Sequence, residues 1–474
     1  MLIGRKVEKN RLLDAFSSEN SEFVVVYGRR RVGKTFLVRE TFNYKFTFSH
    51  TGRARAGMSE QLLYFRDALV DVGYDACPKL KSWREAFRAL QKFLERSADT
   101  RKVVFIDELP YMATHRSGFV GAFEHFWNAW ASARKDVLLI VCGSAASWLL
   151  KKVIRDKGGL HNRVTASIHL SPFTLAECEQ FAAAKGLAYT RSQIAECYMA
   201  LGGIPYYWNC MHKGLGVDQN MDALFFAEGA ALRHEYDELY TSLFDSPEPY
   251  MRIVETLGRQ GGSLSRDEIV HGSGLMSGGV FSRYLEDLEE CGFVRKIKTF
   301  GLEKNGARYR LSDNFTLFHF NFIAHNTDND ETFWSDSRGS GMRRAWVGLA
   351  FERVCLSHVR EIKSALGIAG VKTAVSVWSH RPDEVYPQGA QIDLLIDRAD
   401  GIINLCEMKF TGDEFVIDKQ YDRELLQKRS VFTGVTRTKK AVHLTMVTSS
   451  GMVRNAYWND IQSEVTLDDL FEHQ

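Results

Sequence analysis

The chain is short of several things. It has 8 prolines in 474 residues, too few for long proline-rich linkers. Its 8 cysteines are scattered with no CxxC pair, which argues against a zinc ribbon or a disulfide framework and reads as buried thiols in a reducing cytoplasm. No apolar run approaches bilayer-spanning length; the longest strongly apolar stretch, 137–142, is the length of a strand. The first ten residues, MLIGRKVEKN, have no apolar core behind their basic residues and do not read as a secretory signal. Net charge is nearly absent, with 61 Lys+Arg against 59 Asp+Glu. That excludes a broadly polycationic protein but not a local basic face.

What is present is an ordinary globular composition, 45% hydrophobic and 25% charged, in a chain long enough for about three domains. Up to about residue 170, β-rich runs at 23–27, 45–49, 103–106, 137–142 and 165–170 alternate with amphipathic stretches such as 82–96 and 119–133. This alternation predicts an α/β fold with a mostly parallel sheet. From 175 to about 240 the pattern is helical, broken by Gly202-Gly203-Ile204-Pro205. Helices at 250–259, 266–271 and 278–291, followed by strands at 293–299 and 308–311 around a turn at 303–306, follow the order of a winged helix. The polar stretch 326–341 has the composition of a linker. A helix at 344–361, strands at 374–379, 390–397 and 402–410, a helix at 418–430 and a strand at 440–447 complete the chain.

The strongest chemical signal is Gly28-Arg29-Arg30-Arg31-Val32-Gly33-Lys34-Thr35, a GxxxxGK[ST] loop between a strand and the helix that contains Phe36. Its backbone N–H groups would cradle the β-phosphate of ATP, Lys34 would reach the β- and γ-phosphates, and the Thr35 hydroxyl would ligate Mg²⁺. The strand 103–106 ends in Asp107 and Glu108. Asp107 suits the Mg²⁺ shell, and Glu108 suits the polarisation of an attacking water. Such an acid pair also fits a helix N-cap. Ser144 fits either a contact to the γ-phosphate or a helix cap, and Arg163 either an arginine finger or a solvated base.

Ile3-Gly4-Arg5, YGRRRVGKT, VVFIDE, CGSAAS, HNRV, HLSPF and LGGIPYY together resemble the archaeal-type ATPases of the AAA+/STAND group of P-loop proteins, over roughly 1–240. The resemblance implies that Ile3, Gly4 and Arg5 lie near the adenine. It also implies a helical lid from 175 to 240 that brings Gly202, Gly203 and Pro205 toward the nucleotide, and a winged helix after it. In such proteins the winged helix often contacts the ATPase core instead of DNA. Here the residues permit both roles. Arg295, Lys296, Lys298, Lys304, Arg308 and Arg310 are basic, but the recognition helix that carries Arg283 also holds Glu286, Asp287, Glu289 and Glu290.

Late in the chain, Asp393 lies on one alternating strand and Glu407 and Lys409 on the next. Residues two apart share a face of a strand, so Glu407 and Lys409 point together. Asp plus Glu offers hard oxygens to Mg²⁺ or Mn²⁺, and Lys409 suits the activation of a water. With Glu352 on a preceding helix, this resembles the PD-(D/E)xK nuclease superfamily, although Ile392 stands where its Pro would be. The following helix offers Lys419, Gln420 and Tyr421 for a phosphate.

The expected architecture is therefore a P-loop AAA+-type core (1–172), a helical lid (173–244), a winged helix (245–325), a linker (326–341) and a restriction-endonuclease-like α/β domain (342–474). The expected partners are DNA or RNA and, with ATP, further copies of the chain, with no membrane. Two functions compete: an ATP-driven nuclease, and a regulator or scaffold whose C-terminal domain binds without cutting. A P-loop small-molecule kinase fits less well, because Glu108 and a long lid suit hydrolysis coupled to movement.

Overall fold

The structure, a computed structural model, describes residues 2–472 apart from 145, 156, 157 and 303–305, and gives no account of the side chain of residue 260. The first residue of the helix expected after Ser144 and most of the turn expected at 303–306 thus lie outside the described residues. The chain forms two compact units, Met1–Pro172 with Leu243–Asp245, and Phe173–Ser242 with Ser246–Gln474.

The first unit is built on five parallel strands: β1 (Glu22–Tyr27), β2 (Phe48–Thr51), β3 (Lys102–Asp107), β4 (Val137–Gly143) and β5 (Ala166–His169). Their order is β2-β3-β4-β1-β5. Strands β3 and β4 are buried along their whole length, which is why they read as unbroken apolar runs and not as alternating ones. Strand β2 begins three residues later than its sequence pattern predicts. Helices cover the sheet, and one face is packed by a cluster that includes Phe65, Trp83, Phe87, Phe119 and Trp127. Because all five strands run the same way, their C-terminal ends emerge along one edge, where ligands of such sheets bind.

The second unit opens with helices Leu175–Lys185, Arg191–Leu201, Pro205–Asn209, Val217–Phe225 and Glu235–Leu243. The first two start in capping boxes, Thr174 with Glu177 and Thr190 with Gln193. Three helices follow, Glu248–Gln260, Arg266–Ser273 and Gly279–Glu290, with strands β6 (Leu264–Ser265), β7 (Val294–Lys298) and β8 (Ala307–Leu311) in the antiparallel order β6-β8-β7.

The last sheet has the order β13-β12-β11-β10-β9, from β9 (Thr373–His380), β10 (Ala390–Arg398), β11 (Ile402–Lys409), β12 (Ala441–Thr448) and β13 (Ser463–Thr466). Strands β9, β10 and β11 are antiparallel, whereas β11, β12 and β13 are parallel. Helix Gly341–Ser357 packs against β11, and helix Lys419–Thr436 against β10 and β12. Strand β13 is four residues long with one buried side chain, Val465, and so leaves almost no periodic signal.

The stretch 326–341, polar enough to read as a linker, is anchored. Trp334 is buried against Phe318, Phe322 and Trp346, and the Arg343 guanidinium stacks on its ring at 3.9 Å. The Asp222 carboxylate accepts from the Trp334 and Ser335 backbone N–H groups. One large aromatic outweighs its polar neighbours, because it alone buries apolar area of the order of 200 Å².

His358 interrupts the predicted helix 344–361, which divides into Gly341–Ser357 and Val359–Ala365. Its ring is 1% exposed. Nδ1–H donates to the Val354 carbonyl at 2.8 Å and Nε2 accepts from the Leu175 N–H at 3.1 Å. Only the neutral ring can do both. Burial holds the His358 pKa below its ordinary 6.5. Unfolded His358 takes up a proton near that value, so its contribution to stability is full above about pH 6.5 and is lost as pH falls below it. His358→Ala should cost about 1–3 kcal/mol at pH 7.5 and flatten the loss of stability between about pH 6.5 and 5. Denaturant melts of both proteins across that range check it; parallel pH profiles would contradict it.

Candidate nucleotide site and C-terminal carboxylates

At the C-terminal edge of the parallel sheet, Gly28 leaves β1 at φ 147° and Gly33 precedes helix Lys34–Thr41 at φ 90°. A Cβ on Gly28 would overlap the Leu170 carbonyl oxygen, so the loop packs against the end of β5 with no room for a side chain. The Lys34 ammonium donates to the carbonyls of Gly28 (3.0 Å) and Arg29 (2.8 Å), which curls the loop around it. Val32 is buried and Phe36 is exposed. Of the three arginines, Arg29 is buried, while Arg30 and Arg31 are half-buried.

The Thr35 hydroxyl donates to Asp107 Oδ2 at 2.8 Å, so the two expected Mg²⁺-shell residues meet across 72 positions of sequence. The other Asp107 oxygen accepts from the Cys142 thiol at 2.5 Å and from the Glu108 N–H at 2.9 Å. Burial, then the Asp107 charge, raises the Cys142 thiol pKa well above its ordinary value, so the thiol remains a donor. Glu108 adopts φ 46° and makes no helix-capping hydrogen bond. Its Oε2 instead accepts from the Ser144 N–H and hydroxyl, both at 3.0 Å. The N-cap reading of Glu108 therefore fails, and Ser144 serves the carboxylate.

Gly4 and Arg5 have positive φ, and Arg5 donates to the Ser171 carbonyl at 2.7 Å. Ile3, Gly4 and Arg5 thus sit beside the strand end that Gly28 packs on. Arg163 lies elsewhere. It is exposed in the turn before β5, and β5 runs parallel to β1, so Arg163 stands at the opposite edge of the sheet from its own phosphate loop. Pro205 opens its short helix in the second unit. The hard oxygens of Thr35 and Asp107 and the amine of Lys34 fit a magnesium nucleotide by their chemistry.

In the last sheet, Leu394 pairs with Cys406, and the register between β10 and β9 slips between Ile392 and Leu395. Asp393 therefore lies in a β-bulge, on the face that Glu407 shares across the hairpin. Glu407 accepts from Lys428 Nζ (2.8 Å) and the Tyr421 hydroxyl (2.9 Å), with Lys409 Nζ at 3.5 Å. Burial pushes the Glu407 pKa up, but Lys428, Lys409 and Tyr421 outweigh it, and the carboxyl titrates below its ordinary value. The Tyr421 hydroxyl, offered above for a phosphate, is here given to a carboxylate, and Gln420 donates to Glu424.

Glu352, on helix Gly341–Ser357, meets Arg310 of β8 at 3.1 Å, and Arg310 also lies 3.9 Å from Asp393. Burial, then the Asp393 charge, raises the Glu352 pKa. Among the described residues, no three His, Cys, Asp or Glu side chains are grouped to hold a metal ion. The donor types suit a hard divalent cation, but in this arrangement cationic side chains neutralise them.

Sequence reasoning missed Cys142, Lys428 and the partner of Ser144, and grouped Arg310 with the bases suited to phosphate contact. Lys428 had a legible signal, since it stands two helical turns after Tyr421 on the same face. The expected basic surface at 295–310 is correspondingly smaller. Arg295 donates to the Leu356 carbonyl, Arg308 pairs with Glu268, Arg310 turns inward, and Lys304 lies outside the described residues. Lys296 and Lys298 are exposed, and so is Arg295 despite its hydrogen bond. On the helix Gly279–Glu290, Asp287 is buried and accepts from the Tyr250 hydroxyl, while Arg283, Glu286 and Glu289 are exposed.

A family model described as an ATPase domain predominantly from Archaea matches residues 2–209. An uncharacterised protein of Methanocaldococcus jannaschii is 24% identical over 399 residues, covering 81% of this chain and 83% of that protein. Among solved structures, a Walker-type ATPase of Pyrococcus abyssi shares 20% identity with a TM-score of 0.47, over 67% of this chain and 95% of its own. The ORC2 protein of Aeropyrum pernix, in ADPNP and ADP complexes, shares 13% with a TM-score of 0.41, over 71% and 95%. Among the described residues no helix is long and apolar enough to cross a membrane. The matched span takes in the phosphate loop, both acidic strand-end residues and the first helices that follow, and over residues 2–209 the chain matches an ATPase domain of the archaeal type.

Proposed function

We propose that this chain hydrolyses ATP and couples the cycle, through a winged helix, to a metal-dependent PD-(D/E)xK nuclease-like domain that acts on nucleic acid. The observation that carries the first half is the state of Glu108. Glu108 follows Asp107, to which its backbone N–H donates, and its carboxylate is oriented by two Ser144 donors. A carboxylate aimed in this way suits a general base that orients water, a role that contributes of the order of 10²–10⁴ in rate. Bound Mg²⁺ supplies charge neutralisation to the ATP phosphates. Lys34 binds the same phosphates, Thr35 and Asp107 hold the shell, and Ser144 positions Glu108. Arg163, at the far edge of its own sheet, suits a finger offered to a neighbouring copy, which makes ATP-dependent self-assembly part of the reading.

The second half rests on the shared sheet face of Asp393, Glu407 and Lys409, with Glu352 on the flanking helix. Asp393, Glu407 and Glu352 would hold Mg²⁺ or Mn²⁺, and the metal supplies Lewis acidity at a phosphodiester. Lys409, 4.9 Å above the Tyr421 ring and half-exposed, can orient a water. Exposed Lys296 and Lys298 offer phosphate contacts. A second reading, an ATP-dependent scaffold whose C-terminal domain binds without cutting, draws on the ion pairs that Arg310 and Lys428 make with the carboxylates.

Glu108→Gln should retain ATP binding and lower the hydrolysis rate by about 10²-fold or more, whereas Lys34→Ala should lose ATP binding; fluorescent-nucleotide titration and phosphate release measure both. A Glu108→Gln protein that hydrolyses ATP at the normal rate would refute the assignment. For the C-terminal domain, the full chain with ATP and Mn²⁺ should cut at least one substrate in a panel of single- and double-stranded DNA and RNA, and Lys409→Ala should abolish that cleavage. Cutting that survives Lys409→Ala would refute the assignment of this site, and no cutting with ATP-dependent binding intact leaves the scaffold reading.

A further inference from the structure

We infer that Arg310 is a built-in competitor of the divalent metal at the C-terminal carboxylates, so that docking of the β7–β8 strand pair keeps that site shut. The inference rests on the metal-site reading of Glu352, Asp393 and Glu407 proposed above.

Arg310 comes from β8, outside the sheet that carries the carboxylates. Its side chain is 7% exposed, and its guanidinium reaches Glu352 at 3.1 Å and Asp393 at 3.9 Å. It therefore bridges the two acids that a metal would have to share. A divalent cation needs carboxylate oxygens at about 2.0–2.6 Å. A guanidinium within ion-pair reach of both occupies the approach to those oxygens and satisfies their charge, so the two cations exclude each other by space and by electrostatics. Arg310 also sits poorly for a purely structural ion pair. Its Nε is buried without a hydrogen-bond partner, an arrangement that costs free energy and leaves the contact easier to break.

The strand pair is tied down around this contact. Thr299 bridges to Val377 of β9, the Phe300 N–H donates to the Val377 carbonyl at 2.9 Å, and the Phe300 ring packs 5.2 Å from Phe432. On the other side, Arg295 of β7 donates to the Leu356 carbonyl on the helix that carries Glu352. These contacts hold β8 in register with the acids, so Arg310 is withdrawn when the strand pair moves and not by a side-chain rotation alone. Lys296 and Lys298, exposed on the same strand pair, place a phosphate-binding surface on the element that must move.

The test titrates the nucleotide-free full chain with Mn²⁺ and counts bound ion by electron paramagnetic resonance. Arg310→Gln should bind Mn²⁺ at least about tenfold more tightly than the native chain, and Asp393→Asn in that background should remove the gain. Arg310→Lys, which keeps the charge, should stay close to native. Asp393-dependent binding that is equal in the native chain and in Arg310→Gln would overturn the competition while leaving the metal site standing. No Asp393-dependent binding in either protein would remove the metal site and the competition together. Should Arg310→Gln fail to fold, hydrogen exchange of the native chain decides. Saturating Mn²⁺ should raise amide exchange in 294–298 and 307–311 several-fold and leave 441–448 unchanged, and Asp393-dependent binding without that rise would overturn the inference.

Discussion

A carboxylate taken out of bulk water needs a donor or a cation, and that requirement organises both candidate sites. At the nucleotide site of the ATPase domain both acids accept from neutral donors. Asp107 takes the Thr35 hydroxyl and the Cys142 thiol, and Glu108 takes the Ser144 N–H and hydroxyl. Neutral donors fix the direction of a carboxylate without cancelling its charge, so the group stays available to a magnesium nucleotide or a water. At the C-terminal acids the partners include cations. Glu407 is held by Lys428 and Lys409, and Glu352 by Arg310. There the acids are neutralised as well as positioned.

The parallel sheet explains why the first arrangement is possible. Strands β1, β3, β4 and β5 are separated by long stretches of sequence, yet their ends converge on one edge because all run in the same direction. The loop after β1, the acids after β3, the serine after β4 and the carbonyls after β5 become neighbours through that geometry. The tight approach of Gly28 to Leu170 and the positive φ of Glu108 are local costs accepted at that edge. The second unit relies instead on contacts between distant segments: Leu175 on His358, Asp222 on Trp334 and Ser335, and Arg310 on Glu352. Each satisfies a buried polar group of one segment with a group from another, so these segments hold together as one compact unit.

How much was legible follows from the range of each interaction. The phosphate loop, the strand-end acids and the ExK tripeptide are local patterns whose chemistry depends on spacing along one element, and the residues display them directly. Periodicity located β3, β4, β10 and β11, because long buried or alternating runs are hard to mistake. It could not locate β13, which buries one side chain, or the helix break at His358, which is held by a backbone amide 183 positions away. Composition made a linker of 326–341 because polar residues outnumber the one tryptophan that anchors it.

The sequence by itself determined that this chain carries a nucleotide-binding loop with its acidic partner strand, and that a second set of acids with a lysine follows on a hairpin. Those statements need only the identity and spacing of neighbouring residues. The tertiary structure alone decided that Ser144 serves Glu108, that Arg163 stands at the edge away from its own loop, and that Arg310 is turned into the C-terminal acids and away from solvent. These depend on which distant segments meet, and a side chain's charge does not reveal its partner until the fold has brought the two together.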